Sequence, residues 1–272
     1  RPPRSPARGG PDRTPGRASG EPVYHPDLIA AAQARLERVY AAALPQGLIR
    51  YPVPVCTALA QRLANAVDPA GVPQRRLTPE EDAFIANERL LTKIDYRYWA
   101  ERYSKIRGAN GLQPISPFWE PQEIILTRLA ALEHQRHAEG HPDGLLANVL
   151  KARQEGVSTL SQSLVAHRVT TQTHINAITA SDVPENSGSE GIFGKFELLV
   201  EHLPWYLRPA TKFHKKDTHW VFANGSWMTV ESGKSMKGGL QDEGGTKGNL
   251  GRSKTFTVGH LTQVKGTQRM AD

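Results

Sequence analysis

From Pro26 onward the apolar positions recur every three to four residues, and residues 28–43 keep them on one face, which predicts a helix. A second apolar helix is expected over residues 56–67. Thr78-Pro79-Glu80-Glu81 reads as a helix start: Thr78 can cap, Pro79 suits the first helical position, and the Glu81 carboxylate can reach back to the cap. Asp95 is the expected cap of a helix over residues 96–106. Residues 108–117 then break the chain with turn residues, and another amphipathic helix is expected from Pro121 towards Gly140. At Gly144 the pattern changes. Residues 145–150 form a short, mostly apolar run that suits a buried strand, followed by a polar loop over 151–159 and a helix over 160–169. A second buried strand is expected at 175–180 and a helix at 192–203. Strand, loop, helix, strand, helix in this order implies a parallel sheet with right-handed crossovers. Trp220-Val221-Phe222 and residues 226–230 flank Asn224-Gly225, a strong hairpin signal. Residues 232–252 are rich in Gly and Lys and read as a loop. Residues 255–261 are the last strand candidate, and no internal repeat is found.

Composition narrows the class. The chain has 272 residues, of which 38% are hydrophobic, and its mean hydropathy is −0.49. No apolar run approaches the roughly 20 residues that span a bilayer, and residues 1–20 hold no apolar secretory core. The single cysteine, Cys56, forms no internal disulfide and supplies no multi-cysteine zinc site. The expectation is a soluble protein of the cytoplasm. The net charge of +7 is uneven. Residues 1–20 carry five basic and one acidic residue, and residues 205–272 carry eleven and five, while the middle is slightly acidic. A polyanionic partner fits this asymmetry, because Lys and Arg that neutralise phosphates release counterions. Residues 1–20, almost devoid of aliphatic side chains, are expected to form a disordered basic tail.

The segment 145–159 carries the candidate chemistry. A strand that delivers a glycine-containing loop to the start of a helix is the layout of a phosphate-binding loop, with a hydroxyl placed to hold Mg²⁺. Against G-x-x-x-x-G-K-[ST], Gly156 and Ser158 fit, but Lys151 stands at the first glycine and Val157 at the lysine. The cation would then come from the other end of the loop, from Lys151 or Arg153. An ordinary strand-to-helix connection with surface cations is the competing reading.

The loop resembles the deviant Walker A segment of the large terminase subunits of tailed bacteriophages, in the form K-x-R-Q-x-G-x-S-T. Lys151, Arg153, Gln154, Gly156, Ser158 and Thr159 match it. Upstream, Asp95–Trp99, Tyr103–Ile106 and Pro117-Phe118-Trp119-Glu120-Pro121-Gln122 are similar to the region preceding the terminase motor, where an aromatic–Pro–Gln element recognises adenine. Downstream, residues 174–180 and 197–209 are similar to the second strand and following helix. Asn224-Gly225-Ser226 looks like the family's turn, and residues 255–264 look like the strand leading to Walker B. The resemblance spans roughly residues 95 to 264.

What the resemblance implies is an α/β fold: a P-loop NTPase-like parallel sheet flanked by helices, preceded by a helical N-terminal region and the tail. The implied domains are the tail at 1–20, the helical region at 21–116 and a partial P-loop ATPase domain at 117–272. The implied activity is ATP-driven packaging of double-stranded DNA into a prohead, with ATP and Mg²⁺ as cofactors. The implied partners are duplex DNA, a small terminase subunit, the portal or prohead and further copies of the chain, in the host cytoplasm. Gln122 would recognise adenine. Lys151 and Arg153 would neutralise phosphates, with Gln154 in the loop between them and Gly156, and the Gly156–Val157–Ser158 amides would cradle them. Ser158 or Thr159 would hold the metal. An amide group suits adenine, because it offers one donor and one acceptor to the N6/N7 edge.

The resemblance departs at the catalytic end. The Walker B strand should finish in a carboxylate that activates water, but here it reads His260-Leu261-Thr262-Gln263. Gln263 carries no charge and cannot act as general base. Nothing after Val264 resembles a coupling motif or a nuclease domain, so a truncated motor portion is expected. The alternatives are a non-hydrolysing nucleotide- and DNA-binding module, or a nonfunctional fragment with a basic surface. Asp242-Glu243 has no apolar strand before it and reads as loop. His134, His137 and His141 lie at a polar helix end and read as solvated. Cys56, in an apolar helix, reads as a packed core thiol. Ser232–Ser235 and Lys237–Gly239 lack a strand and helix around them and read as a basic loop.

Overall fold

The computed structural model describes residues 26–68, 74–108, 111–140, 149, 156–181, 191–216, 218–232 and 258–262, and all structural statements concern these. Helix α1 (Pro26–Ala43) runs across the boundary between two units, residues 1–38 and 39–272. The rest belongs to the second unit. A 3-10 turn (Leu44–Gln46) follows, then α2 (Val53–Ala64), α3 (Pro79–Ile94) and α4 (Tyr96–Tyr103). The expected capping box is present at α3: Glu81 N–H donates to Thr78 Oγ1 at 3.3 Å, and Thr78 N–H donates to Glu81 Oε2 at 2.9 Å. Arg75 grips the same carboxylate at 2.7 and 2.8 Å. At α4, Asp95 Oδ1 accepts from Tyr98 N–H at 2.9 Å, as its position predicts.

Helix α4 stops three residues short of the expected end, because Lys105–Gly108 (β1) pairs with Gly111–Pro114 (β2) in an antiparallel hairpin. The segment expected to be only turn therefore contains strands. Helix α5 (Glu120–Ala138) follows, and Gln122 and Leu126 are the buried residues on it among those whose burial is described. Helix α6 (Val157–Thr171), β3 (Asn176–Ser181), α7 (Ile192–Glu201), β4 (Thr211–Lys215), β5 (His219–Phe222), β6 (Trp227–Ser232) and β7 (Val258–Thr262) complete the order.

The five-stranded sheet has the order β4-β5-β6-β3-β7. Strand β3 pairs parallel with β6 on one side and β7 on the other, but β4, β5 and β6 are antiparallel. The fold is mixed α/β: the expected parallel pairing holds for β6-β3-β7 and the expected hairpin for β5-β6, but β4 and β5 make the sheet mixed. The physical cause is the short Asn224-Gly225 turn and the short return after Lys215, since neither is long enough for a parallel crossover. Helices α4, α6 and α7 pack on one face, around Trp99, Val165, Phe193, Phe196, Phe222 and Met228. A second cluster joins Leu59 and Leu63 of α2, Phe84 of α3 and Tyr206.

Of the apolar run 145–150, Val149 is described. It lies outside any helix or strand and is 45% exposed, which departs from the expected buried strand. An apolar run without periodicity fixes neither burial nor pairing. The expected tail, the other residues of that run and most of the Gly- and Lys-rich segment lie outside the described residues.

Candidate functional site

Two sets of hydrogen bonds orient α6 against the sheet. Within the helix, Gln162 Nε2 donates to Thr179 Oγ1 of β3 at 2.9 Å. Past its last turn, Ser226 Oγ donates to Gln172 O at 3.2 Å and accepts from Ile175 N–H at 3.1 Å. Helix α6 therefore runs antiparallel to β3. Val157 lies five residues before Gln162, about 7.5 Å along the helix, and two strand residues cover about 6.6 Å. The amino end of α6 thus comes level with Ser181, two residues beyond Thr179. Ser181 in turn pairs with Ser232 of β6 and Thr262 of β7. The predicted loop glycine and Thr262, at the predicted Walker B end, open at one edge, the carboxyl edge of parallel strands. Ligands of open α/β sheets bind along such edges.

Gly156 precedes α6 with φ +67°, ψ 7°, a left-handed conformation that glycine adopts without penalty. Having no side chain, it leaves the first-turn N–H groups of α6 uncapped. Its carbonyl accepts twice, from Leu160 N–H at 3.0 Å and from Gln122 Nε2 at 3.2 Å. Gln122 is buried, and its Oε1 accepts from Trp119 N–H at 3.0 Å. One amide thus fastens the start of α5 to the loop glycine, 34 residues away. It retains one N–H and one lone pair. A Cβ at position 156 would stand 2.6 Å from Gln122 Nε2 and 3.6 Å from Trp119 Cε3.

The two aromatic candidates separate clearly. Phe118 is packed against the core beside Tyr96, with Arg97 5.7 Å from its ring centre. Trp119 is 58% exposed next to Gly156, and is the ring free to meet a ligand. Arg97, which local sequence gave no reason to single out, bonds Glu123 at 2.6 Å and so braces the first turn of α5. Its partner comes from 26 residues away, beyond any local signal.

The remaining predicted residues are placed as follows. Val157 is buried, and Ser158 and Thr159 are half-buried on the first turn of α6, their hydroxyls without a protein partner among the described residues. Thr262 ends β7 by its backbone. Lys151, Arg153, Gln154 and Gln263 lie outside the described residues. No group of three or more His, Cys, Asp or Glu residues among the described residues could hold a metal. His134 is exposed, and Cys56 is only partly buried, not fully packed as expected. Burial still pushes the Cys56 thiol up, against the pull of Arg102.

The Asn224-Gly225-Ser226 turn has a visible task. Asn224 Nδ2 donates to Val169 O at 2.9 Å and to Gln172 O at 2.8 Å, while its Oδ1 accepts from Ser226 N–H at 3.0 Å. The turn closes the carboxyl end of α6, opposite Gly156, and holds the helix in register with β3. No helix among the described residues is long and apolar enough to cross a membrane. Compared with known proteins, the chain matches no family model and no curated protein.

Proposed function

We propose that the chain is the nucleotide-binding portion of a terminase-like motor that couples ATP to the packaging of duplex DNA. The observation that carries this reading is the Gln122–Gly156 bond. Two segments singled out for nucleotide binding, far apart in sequence, meet at the carboxyl edge of parallel strands. Two further features fit a bound triphosphate. Helix α6 offers uncapped N–H groups to an anion, and the Ser158 and Thr159 hydroxyls have no partner among the described residues. In this reading Trp119 stacks on the base, and the spare N–H and lone pair of Gln122 meet the adenine edge. Lys151 and Arg153 neutralise the phosphates, and Ser158 or Thr159 holds Mg²⁺. Mg²⁺ would supply charge neutralisation at the phosphate oxygens. The partners in this reading are duplex DNA, a small terminase subunit and the portal or prohead, with further copies of the chain.

A second reading, favoured by Gln263 directly after Thr262, is a module that binds ATP without hydrolysing it. Magnesium-dependent ATP binding and phosphate release, with and without duplex DNA, separate the two. Lys151→Ala removes a charge-assisted contact worth ~1.5–3 kcal/mol and should weaken ATP binding about tenfold or more. Unchanged affinity in that variant would sink the assignment. Phosphate release stimulated by DNA supports the motor. Binding without release supports the silent module, and Gln263→Glu should then raise turnover.

A further inference from the structure

The outer strand of the sheet, β4, is exposed at all five of its positions, Thr211–Lys215. Between Glu201 and Asp217 the chain carries four basic residues, Arg208, Lys212, Lys215 and Lys216, and no acidic one. The three lysines are exposed and make no ion pair among the described residues. An irregularity between Thr211 and Phe213 breaks the alternation of β4 at Lys212. As a result Thr211 bonds Trp220 Nε1 at 3.0 Å, and His214 stacks on Trp220 with ring centres 4.2 Å apart. Phe213 lies instead beside His219, at 6.0 Å, and is 52% exposed. His214 is also bound to Glu197 at 2.8 Å, so it belongs to the packed side and not to the cationic row.

We propose that Lys212, Lys215 and Lys216 bind the phosphate backbone of duplex DNA along this edge. The choice of duplex DNA rests on the reading of the chain as a DNA-acting ATPase. The surface itself favours it over a single strand. Lys212 to Lys216 spans about 13 Å of extended chain, and a duplex presents one negative charge per about 1.7 Å of its axis. Only one strongly exposed ring, Phe213, accompanies the three cations, whereas single-strand platforms stack successive bases on several.

The position also suits a motor. Strand β4 runs antiparallel to β5, which runs antiparallel to β6, so β4 points the same way as β3. Lys215, His219, Thr229 and Ile178 form one row across the sheet. Three strand spacings, about 14 Å, separate Lys215 from β3. Lys216 continues towards the edge at which Gly156 and Thr262 open. Duplex bound here approaches the same edge as the proposed nucleotide.

The test compares the full chain with a Lys212→Gln, Lys215→Gln, Lys216→Gln variant, binding a short duplex over a range of salt. The triple variant should bind more weakly at every salt concentration. The slope of log affinity against log salt should flatten by about 2 to 3, near 0.9 for each lost phosphate contact. The triple Lys→Arg variant should keep the wild-type slope, and melting temperatures equal to that of the wild type confirm that both variants fold. An unchanged slope in the glutamine variant overturns the proposal. So does preferential binding of single-stranded DNA that Phe213→Ala abolishes. So, too, does self-association of the glutamine variant with intact DNA binding, the signature of lysines that only block edge-to-edge pairing. ATP affinity measured on the same samples keeps the two claims apart. Loss of the salt slope without any ATP binding supports the surface and removes the nucleotide reading.

Discussion

His167 lies in α6 with its ring edge-on to both Tyr96 and Trp99, 5.4 Å between centres in each case. Its Nε2–H donates to Thr92 O at 2.7 Å, which fixes the tautomer and leaves Nδ1 as a lone pair. Neither His167 Nδ1 nor the neighbouring Trp99 Nε1–H has a hydrogen-bond partner among the described residues. Burial holds the imidazole down at about 4, against an ordinary 6.5, even though the Thr92 bond favours the cation. Between these values the unfolded chain binds a proton that the folded chain refuses. The stability present above pH 6.5 is therefore lost as pH falls towards 4, roughly 3 kcal/mol in all. The urea midpoint should drop between pH 7 and pH 5. His167→Gln, which keeps a donor for Thr92, should be less stable at pH 7 but lose that slope. A wild-type midpoint that stays level across this window would contradict the assignment. This behaviour was not legible in the sequence, because nothing near position 167 foretells a partner 75 residues away. Gly156 was legible for the opposite reason. A left-handed residue directly before a helix favours one free of Cβ, and that need is local. Trp119 and Phe118 show the limit, since adjacent aromatics are indistinguishable until the fold packs one against the core and leaves the other exposed.

At the scale of elements, the helix starts with side-chain caps were readable. Thr78 and Asp95 bond the backbone of their own first turns, and such chemistry survives in any tertiary setting. The β1–β2 hairpin and β4 were not. Both are short and largely polar, with β2 and β4 exposed throughout and β1 half-buried at three of its four positions, so neither shows the apolar alternation that marks a strand, and pairing alone makes them strands. The Asn224-Gly225 hairpin was readable as a turn, but its grip on α6 was not. Asn224→Ala would strand Val169 O and the Ser226 N–H, and would leave Gln172 O only the Ser226 hydroxyl, at a cost of about 1–3 kcal/mol. Asn224→Asp is the sharper probe. It keeps the acceptor for Ser226 but turns carboxylate oxygen towards both carbonyls. At neutral pH it should destabilise at least as much as alanine, despite its shape, and recover partly when the carboxyl is protonated. Chemical denaturation at pH 7 and pH 4 distinguishes these outcomes, and an aspartate as stable as wild type would show that the two carbonyl bonds contribute nothing.

Across the whole second unit, the acid side of stability has two steps and the alkaline side one. Below the step set by His167, Glu81 adds a second. Arg75 and the Thr78 N–H hold its carboxyl at about 2, so its contribution is complete above the ordinary carboxylate range and fades as pH falls from there towards 2. The alkaline limit comes from tyrosine. Glu88 of α3 accepts from Tyr98 OH at 2.9 Å and from Tyr103 OH, both on α4. Arg89 Nε donates to Tyr206 O at 2.9 Å, and Trp205 Nε1 donates to Leu63 O of α2 at 2.9 Å. Phenols thus sit where α2, α3, α4 and the segment after α7 converge. Burial pushes Tyr206 up to about 12 and Tyr96 beyond it. Burial, and then the Glu88 carboxylate, push Tyr98 and Tyr103 up further still. A group whose folded pKa lies above its unfolded value stabilises fully below the unfolded value, near 10, and loses that contribution as pH rises past it. At pH 11, phenolate absorbance of the native chain should fall short of that of the denatured chain by about these four groups. The deficit should vanish in one cooperative step as the alkaline chain unfolds, because three of the four phenols share one network. Equal absorbance before unfolding would mean that water reaches them, and that α3, α4 and the segment after α7 are not closed over the Glu88 carboxylate.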